Sequence, residues 1–139
     1  MFKKFITNSV YSFLSLLLLS LIFTFGGFLV LDLFKFGIII LFIAVLFLGY
    51  LIGRKLYYAK TIGVVSIIIL PLIVFVALYG LSIIGVPFIS MIIQYPAAVW
   101  SEAVGNVRLA DNHPVMFYVV AFVHHLLCSL ALFTGAYKR

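Results

Sequence analysis

The sequence predicts an all-α, polytopic integral membrane protein: a four-transmembrane-helix bundle with an interfacial or re-entrant segment before the last helix. Of its 139 residues, 67% are hydrophobic and only 9% are charged, whereas soluble proteins carry about a quarter charged residues. Long apolar stretches without charges point to a bilayer rather than to a buried core. We therefore expect one membrane domain over residues 1–139.

The first predicted span covers approximately residues 8–31. It follows Lys3 and Lys4 and lies in an uncharged stretch that exceeds the roughly 20 residues a helix needs to cross hydrocarbon. The hydrophobic region of a signal peptide has only about 7 to 15 residues. We therefore interpret this stretch as an uncleaved span.

Three further apolar stretches predict the remaining spans, at approximately 36–53, 61–84 and 115–136. The third contains Pro71, which either kinks the helix and frees a carbonyl or is tolerated because neighbouring groups satisfy the backbone. The fourth follows Pro114, which suits the first turn of a helix.

Residues 86–103, VPFISMIIQYPAAVWSEA, are apolar enough to raise the question of a fifth span. Pro87 and Pro96 argue against a regular crossing, because proline lacks an N–H and disrupts a helix. Within the outer loop 85–114 we expect an interfacial or re-entrant segment, with a short helix beginning at Pro96. Trp100 would then lie at the level of the lipid headgroups.

The basic residues predict the orientation, because lysine and arginine favour cytoplasmic loops. With the N-terminus inside, seven of the nine basic residues fall on the cytoplasmic side. These seven are Lys3, Lys4, Arg54, Lys55, Lys60, Lys138 and Arg139. We expect both termini in the cytoplasm of a bacterium, the protein in its plasma membrane, and Arg54, Lys55 and Lys60 near anionic lipids.

The charged residues on the predicted outer side are Asp32, Lys35, Glu102, Arg108 and Asp111. Glu102, Arg108 and Asp111 lie in the polar stretch SEAVGNVRLADNHP. A solvated loop between two apolar segments needs such residues in any case. We interpret the stretch as a loop, and no catalytic pair of carboxylates is required to explain it.

His124 and His125 lie near the middle of the fourth predicted span, followed by Cys128 and Ser129. An ionisable residue at that depth indicates a function or an interior position. One interpretation makes His124 and Cys128 a metal pair, or His125 a haem ligand or proton relay. The other has neutral imidazoles bonded across a helix interface to a serine, a threonine or a carbonyl.

Small residues mark the surfaces predicted to pack helices together. Gly49 and Gly53 form a small-xxx-small pair at the end of span two, and small residues recur along span four. Such residues let helices approach closely, within one chain or between copies. Those of span four are Ala121, Ala131 and Gly135.

The sequence favours an interaction protein: an accessory, modulatory or immunity-type subunit of a larger membrane partner. The alternative is a subunit of a homo-oligomeric channel or transporter that uses His124 and His125. An intramembrane enzyme or redox subunit ranks third, since we find no catalytic motif, no metal site and no cofactor motif. The basic residues lie at the ends of apolar stretches, so we expect a lipid bilayer and no nucleic acid around them.

Overall fold

The computed structural model describes residues 2–56, 63–83, 87–105 and 112–137. All the regular elements in these residues are helical. In chain order they are α1 (Phe2–Leu33), α2 (Gly37–Gly53), a π-helix (Val65–Ile69) that continues into α3 (Leu70–Ile83), α4 (Pro87–Ala103) and α5 (Pro114–Tyr137). Lys60, Arg108, Asp111, Lys138 and Arg139 lie outside the described residues.

Two helices, α1 and α5, are long and apolar enough to cross a membrane. The 32 residues of α1 extend for about 48 Å, which exceeds the roughly 30 Å thickness of the hydrocarbon core. The helix α2 and the stretch Val65–Gly80 are shorter apolar helices. Length and composition thus give two candidate membrane-spanning helices, and they indicate a membrane location.

The helix α1 buries polar residues and exposes large apolar ones. Ser12, Ser20 and Thr24 are buried, whereas Phe25 and Leu29 are exposed. Buried polar groups and exposed apolar surfaces are the informative exceptions to the pattern of soluble proteins. This arrangement suits a helix that directs its polar groups to other helices and its apolar side chains to lipid.

The helix α4 differs from the short helix that residues 86–103 were expected to form. It begins at Pro87 rather than at Pro96, which lies inside it. Pro87 costs little at this position, because the first N–H groups of a helix have no partner within the helix. Gly105 ends the helix in the left-handed conformation, with φ 79°, and its N–H donates to the Glu102 carbonyl. The helix α4 packs among the other helices, against α1, α3 and α5.

A π-helix precedes Pro71, and a neighbouring helix compensates for the proline. The Leu70 N–H donates to the Val65 carbonyl, five residues earlier. Pro71 has no N–H with which to reach the Ile67 carbonyl, four residues before it. The Ser129 hydroxyl of α5 donates to that carbonyl at 3.3 Å. The backbone is thus satisfied by a neighbour, one of the two outcomes expected for this proline.

Candidate functional site

His125, on α5, is fully buried and connects three helices. Its Nδ1 atom lies 2.7 Å from the Ala121 carbonyl oxygen and 3.1 Å from the Tyr79 hydroxyl of α3. Because a carbonyl oxygen can only accept, Nδ1 carries the ring proton. Nε2 lies 2.9 Å from the Ser20 hydroxyl of α1 and accepts its proton. One imidazole therefore links α1, α3 and α5.

His124 has a different set of partners. The Trp100 indole N–H of α4 donates to Nδ1 at 3.3 Å. An indole N–H can only donate, so Nδ1 carries no proton. The ring proton is on Nε2, which lies 3.9 Å from Cys128 Sγ. The rings of Phe23 and Phe42 enclose the imidazole, with centroids 4.6 and 5.2 Å away.

These contacts give His124 and His125 opposite neutral tautomers. Each ring accepts one hydrogen bond, which an imidazolium cannot do because both of its nitrogens are donors. Neutral rings also avoid the cost of burying a charge. The two rings are nearly perpendicular, at 85°, and direct their polar atoms to different helices. The structure thus joins both histidines to partners inside one chain.

Cys128 and Ser129 complete the polar residues singled out on this helix. Cys128 is a buried free thiol, and the Ser129 hydroxyl is bonded to the Ile67 carbonyl. No group of three His, Cys, Asp or Glu side chains able to hold a metal occurs in the described residues. A metal on His124 and Cys128 would need further ligands from elsewhere.

A second set of polar residues continues along α1. The Asn8 side-chain amide donates to the Ser66 hydroxyl in the π-helix at 3.3 Å. Ser12, one turn further, is fully buried, and its hydroxyl has no partner within the described part of the chain. Leu16, also fully buried, lies between Ser12 and Ser20, one helical turn from each. Polar positions thus follow one face of α1, interrupted by one leucine.

Four of the five predicted packing residues lie where α2 meets α5. A Cβ atom built on Gly53 would lie 2.7 Å from the Leu132 carbonyl carbon, and one on Gly135 would lie 2.9 Å from the Tyr50 carbonyl carbon. Each glycine therefore meets backbone of the facing helix. The four residues are Gly49, Gly53, Ala131 and Gly135. The fifth, Ala121, is buried and accepts the hydrogen bond from His125.

A cavity of about 580 Å³ lies at the end of the bundle where α1 begins and α2 ends. Lys3, Lys4 and Lys55 contribute to its wall. Arg54, the residue after α2, is exposed. Of the basic residues predicted to attract anionic lipids, Lys55 thus lines a cavity, and Lys60 lies outside the described residues.

The predicted outer charges do not form a cluster in the described residues. Asp32 is exposed in the last turn of α1, and Glu102 is exposed near the end of α4. Arg108 and Asp111 lie outside the described residues.

Sequence analysis did not identify the residues that hold the histidines. Trp100 was expected among the headgroups, but its ring stacks on Phe23 at 5.4 Å between centroids and its N–H reaches His124. Ser20 and Tyr79 carry the hydroxyls near His125. The position of Ser20 could have indicated this pairing. Ser20 lies midway along α1, and His125 lies midway along α5.

The chain matches no protein-family model, no curated protein and no solved structure. In the described residues, its fold and site define a class: an all-helical structure with two candidate membrane-spanning helices and two buried, hydrogen-bonded histidines.

Proposed function

We propose that this chain is a small multi-pass membrane protein that acts as an accessory, modulatory or immunity-type subunit of a larger membrane partner. An open small-residue face on α3 supports this proposal. A Cβ atom built on Gly80 meets no atom of the described residues within 4 Å, and Ala77, three residues earlier, is exposed. Ile73 and Val76, close to them on the helix, are 58% and 51% exposed. A partner helix can approach such a face closely.

The contrast with the α2–α5 interface makes this face the preferred docking surface. Gly53 and Gly135 already meet the backbone of a facing helix of the same chain. They are therefore occupied and cannot receive another protein. The open face around Gly80 and Ala77 provides the same kind of surface, and no part of the chain that the structure describes occupies it.

We further propose four spans, formed by α1, α2, the π-helix with α3, and α5, with α4 re-entrant between the last two. Lys3 and Lys55 line one cavity, so the start of α1 and the end of α2 share one end of the bundle. The preference of basic residues for the cytoplasmic side makes this end cytoplasmic, in a bacterial plasma membrane. A membrane-impermeant thiol reagent should label a cysteine at Lys35 from outside cells, and one at Lys55 only after permeabilisation.

The docking surface is tested by native mass spectrometry of the complex purified from its own membranes in mild detergent. We expect wild-type protein to carry a membrane partner in fixed stoichiometry, and Ala77→Leu and Gly80→Leu to lose it. Ala44→Leu is the matched control, because Ala44 is exposed on α2. Wild-type protein that occurs only as a monomer or homo-oligomer contradicts the proposal.

A channel or transporter that uses His124 and His125 is the second candidate. The buried and unpartnered hydroxyl of Ser12 favours it, because such a group is expected to bind water or a passing solute. Both histidines are bonded within one chain, so a conducting path would lie inside each copy. Unchanged ion flux in vesicles reconstituted with His124→Ala or His125→Ala would exclude a role for these residues.

A further inference from the structure

The cavity between the start of α1 and the end of α2 has an excess of positive charge. Lys3 and Lys4 enter its wall from α1, and Lys55 enters from the end of α2. None of the described residues that line the cavity is acidic. Like charges around one cavity repel each other, and an anion between them relieves this repulsion.

The position of the first two lysines adds to the positive potential. They lie in the first turn of α1, which has no acidic residue. The N-terminal end of a helix carries a partial positive charge and favours anions rather than cations. The lysines and the N-terminal end of α1 therefore both attract an anionic group in the cavity.

The polar and apolar parts of the wall define the chemistry of a ligand. The hydroxyls of Thr7 and Ser15 donate to carbonyls of their own helix. The ammonium groups of Lys3 and Lys55 and the hydroxyl of Tyr11 lie in the same wall and can donate to an anion. Lysine binds phosphate as a point charge. Ile52 and Leu56 lie in the same wall and provide apolar contacts beside the charge.

We propose that this cavity binds the phosphate group of an anionic amphiphile, with the phosphate near Lys3, Lys4 and Lys55 and the adjoining apolar part against Ile52 and Leu56. A phospholipid of the surrounding membrane supplies such a group, and a free phosphate supplies the same charge without the apolar part. This site does not depend on a protein partner.

Binding is measured by native mass spectrometry of the full chain released from detergent, titrated with phosphatidic acid and with phosphatidylcholine of identical acyl chains. We expect phosphatidic acid to bind at least about tenfold more tightly. The double variant Lys3→Gln with Lys55→Gln should bind phosphatidic acid roughly 30-fold more weakly, because each lysine near a membrane surface contributes about fivefold. Lys35→Gln, which removes one charge in the turn between α1 and α2, should weaken binding less than about twofold, against about fivefold for either cavity lysine replaced alone.

Inorganic phosphate, titrated in the same way, separates the two sources of the phosphate group. Inorganic phosphate should bind less tightly than phosphatidic acid if the ligand is an amphiphile. Equally tight binding that depends on the lysines would contradict an amphiphilic ligand and would make the cavity a simple anion site. Equal retention of both lipids, or equal losses in the double variant and in Lys35→Gln, would overturn the site itself. Circular dichroism of each variant establishes that a loss of binding is not a loss of helix.

Discussion

Replacing Gly53 by alanine tests how closely α2 and α5 approach. The added Cβ atom would lie 2.7 Å from the Leu132 carbonyl carbon, whereas carbon atoms in contact prefer about 3.5 to 4.0 Å. The helices must therefore separate by about 1 Å. Overpacking of this kind costs about 1 to 3 kcal/mol, and alanine returns up to about 1 kcal/mol of helix propensity. Because the clash is with the backbone of the facing helix, the cost lies near the upper end of that range. The net effect of Gly53→Ala is then to lower the free energy of unfolding by about 2 kcal/mol, a factor of about 30 in the unfolding equilibrium constant.

The assay is equilibrium unfolding in mixed micelles, followed by circular dichroism. Gly80→Ala is the matched control, because its Cβ meets none of the described residues within 4 Å, and it should be neutral or slightly stabilising. Gly135→Ala should resemble Gly53→Ala, and the double variant should lose less than the sum because one separation relieves both contacts. If Gly53→Ala proves as stable as Gly80→Ala, the close approach of the helices is wrong.

Three further outcomes follow from the interior of the bundle. Ser20→Ala leaves Nε2 of His125 without its donor and should lower the free energy of unfolding by about 1 to 3 kcal/mol. Tyr79→Phe should lower it less, because Nδ1 keeps its hydrogen bond to the Ala121 carbonyl. If thermal unfolding shows Tyr79→Phe to be the less stable variant, the tautomer assigned to His125 is wrong. The fluorescence of Trp100, the single tryptophan, should be blue-shifted and only weakly quenched by acrylamide. Strong quenching would show that the indole is accessible to water, as expected for the headgroup region. Cys128, fully buried, should react with a maleimide only after denaturation in dodecyl sulfate, and rapid labelling of the native protein would show that α5 is not packed as described.

The sequence predicted the helical class well because composition and long uncharged stretches are properties of the chain itself. The small residues at Gly53 and Gly135 were also recognisable, since a glycine pattern marks close packing before its partner is known. Their partner was not predictable, because the same pattern serves contacts within one chain and between copies. The structure places both in one intramolecular interface.

The contacts of the histidines could not be derived from spacing. His124 and His125 are adjacent, so their rings must point in different directions, yet their partners come from helices far away in the sequence. Trp100 was assigned to the headgroups because residues 86–103 were expected to be interfacial or re-entrant, where aromatic residues are enriched. Its actual position depends on α4 entering the bundle, which the two prolines of that segment obscured.

The hydrogen bond from Ser129 to the Ile67 carbonyl has a consequence for biosynthesis. Its two residues are separated by 62 positions, so at about 5 to 20 residues per second the ribosome needs roughly 3 to 12 s to synthesise the interval. During this time the Ile67 carbonyl lacks a donor, because Pro71 has no N–H to offer it and Ser129 has not yet been synthesised. A chain that ends before Ser129 would retain this defect permanently. The third helix therefore obtains this backbone hydrogen bond only after the last helix has been synthesised and packed against it.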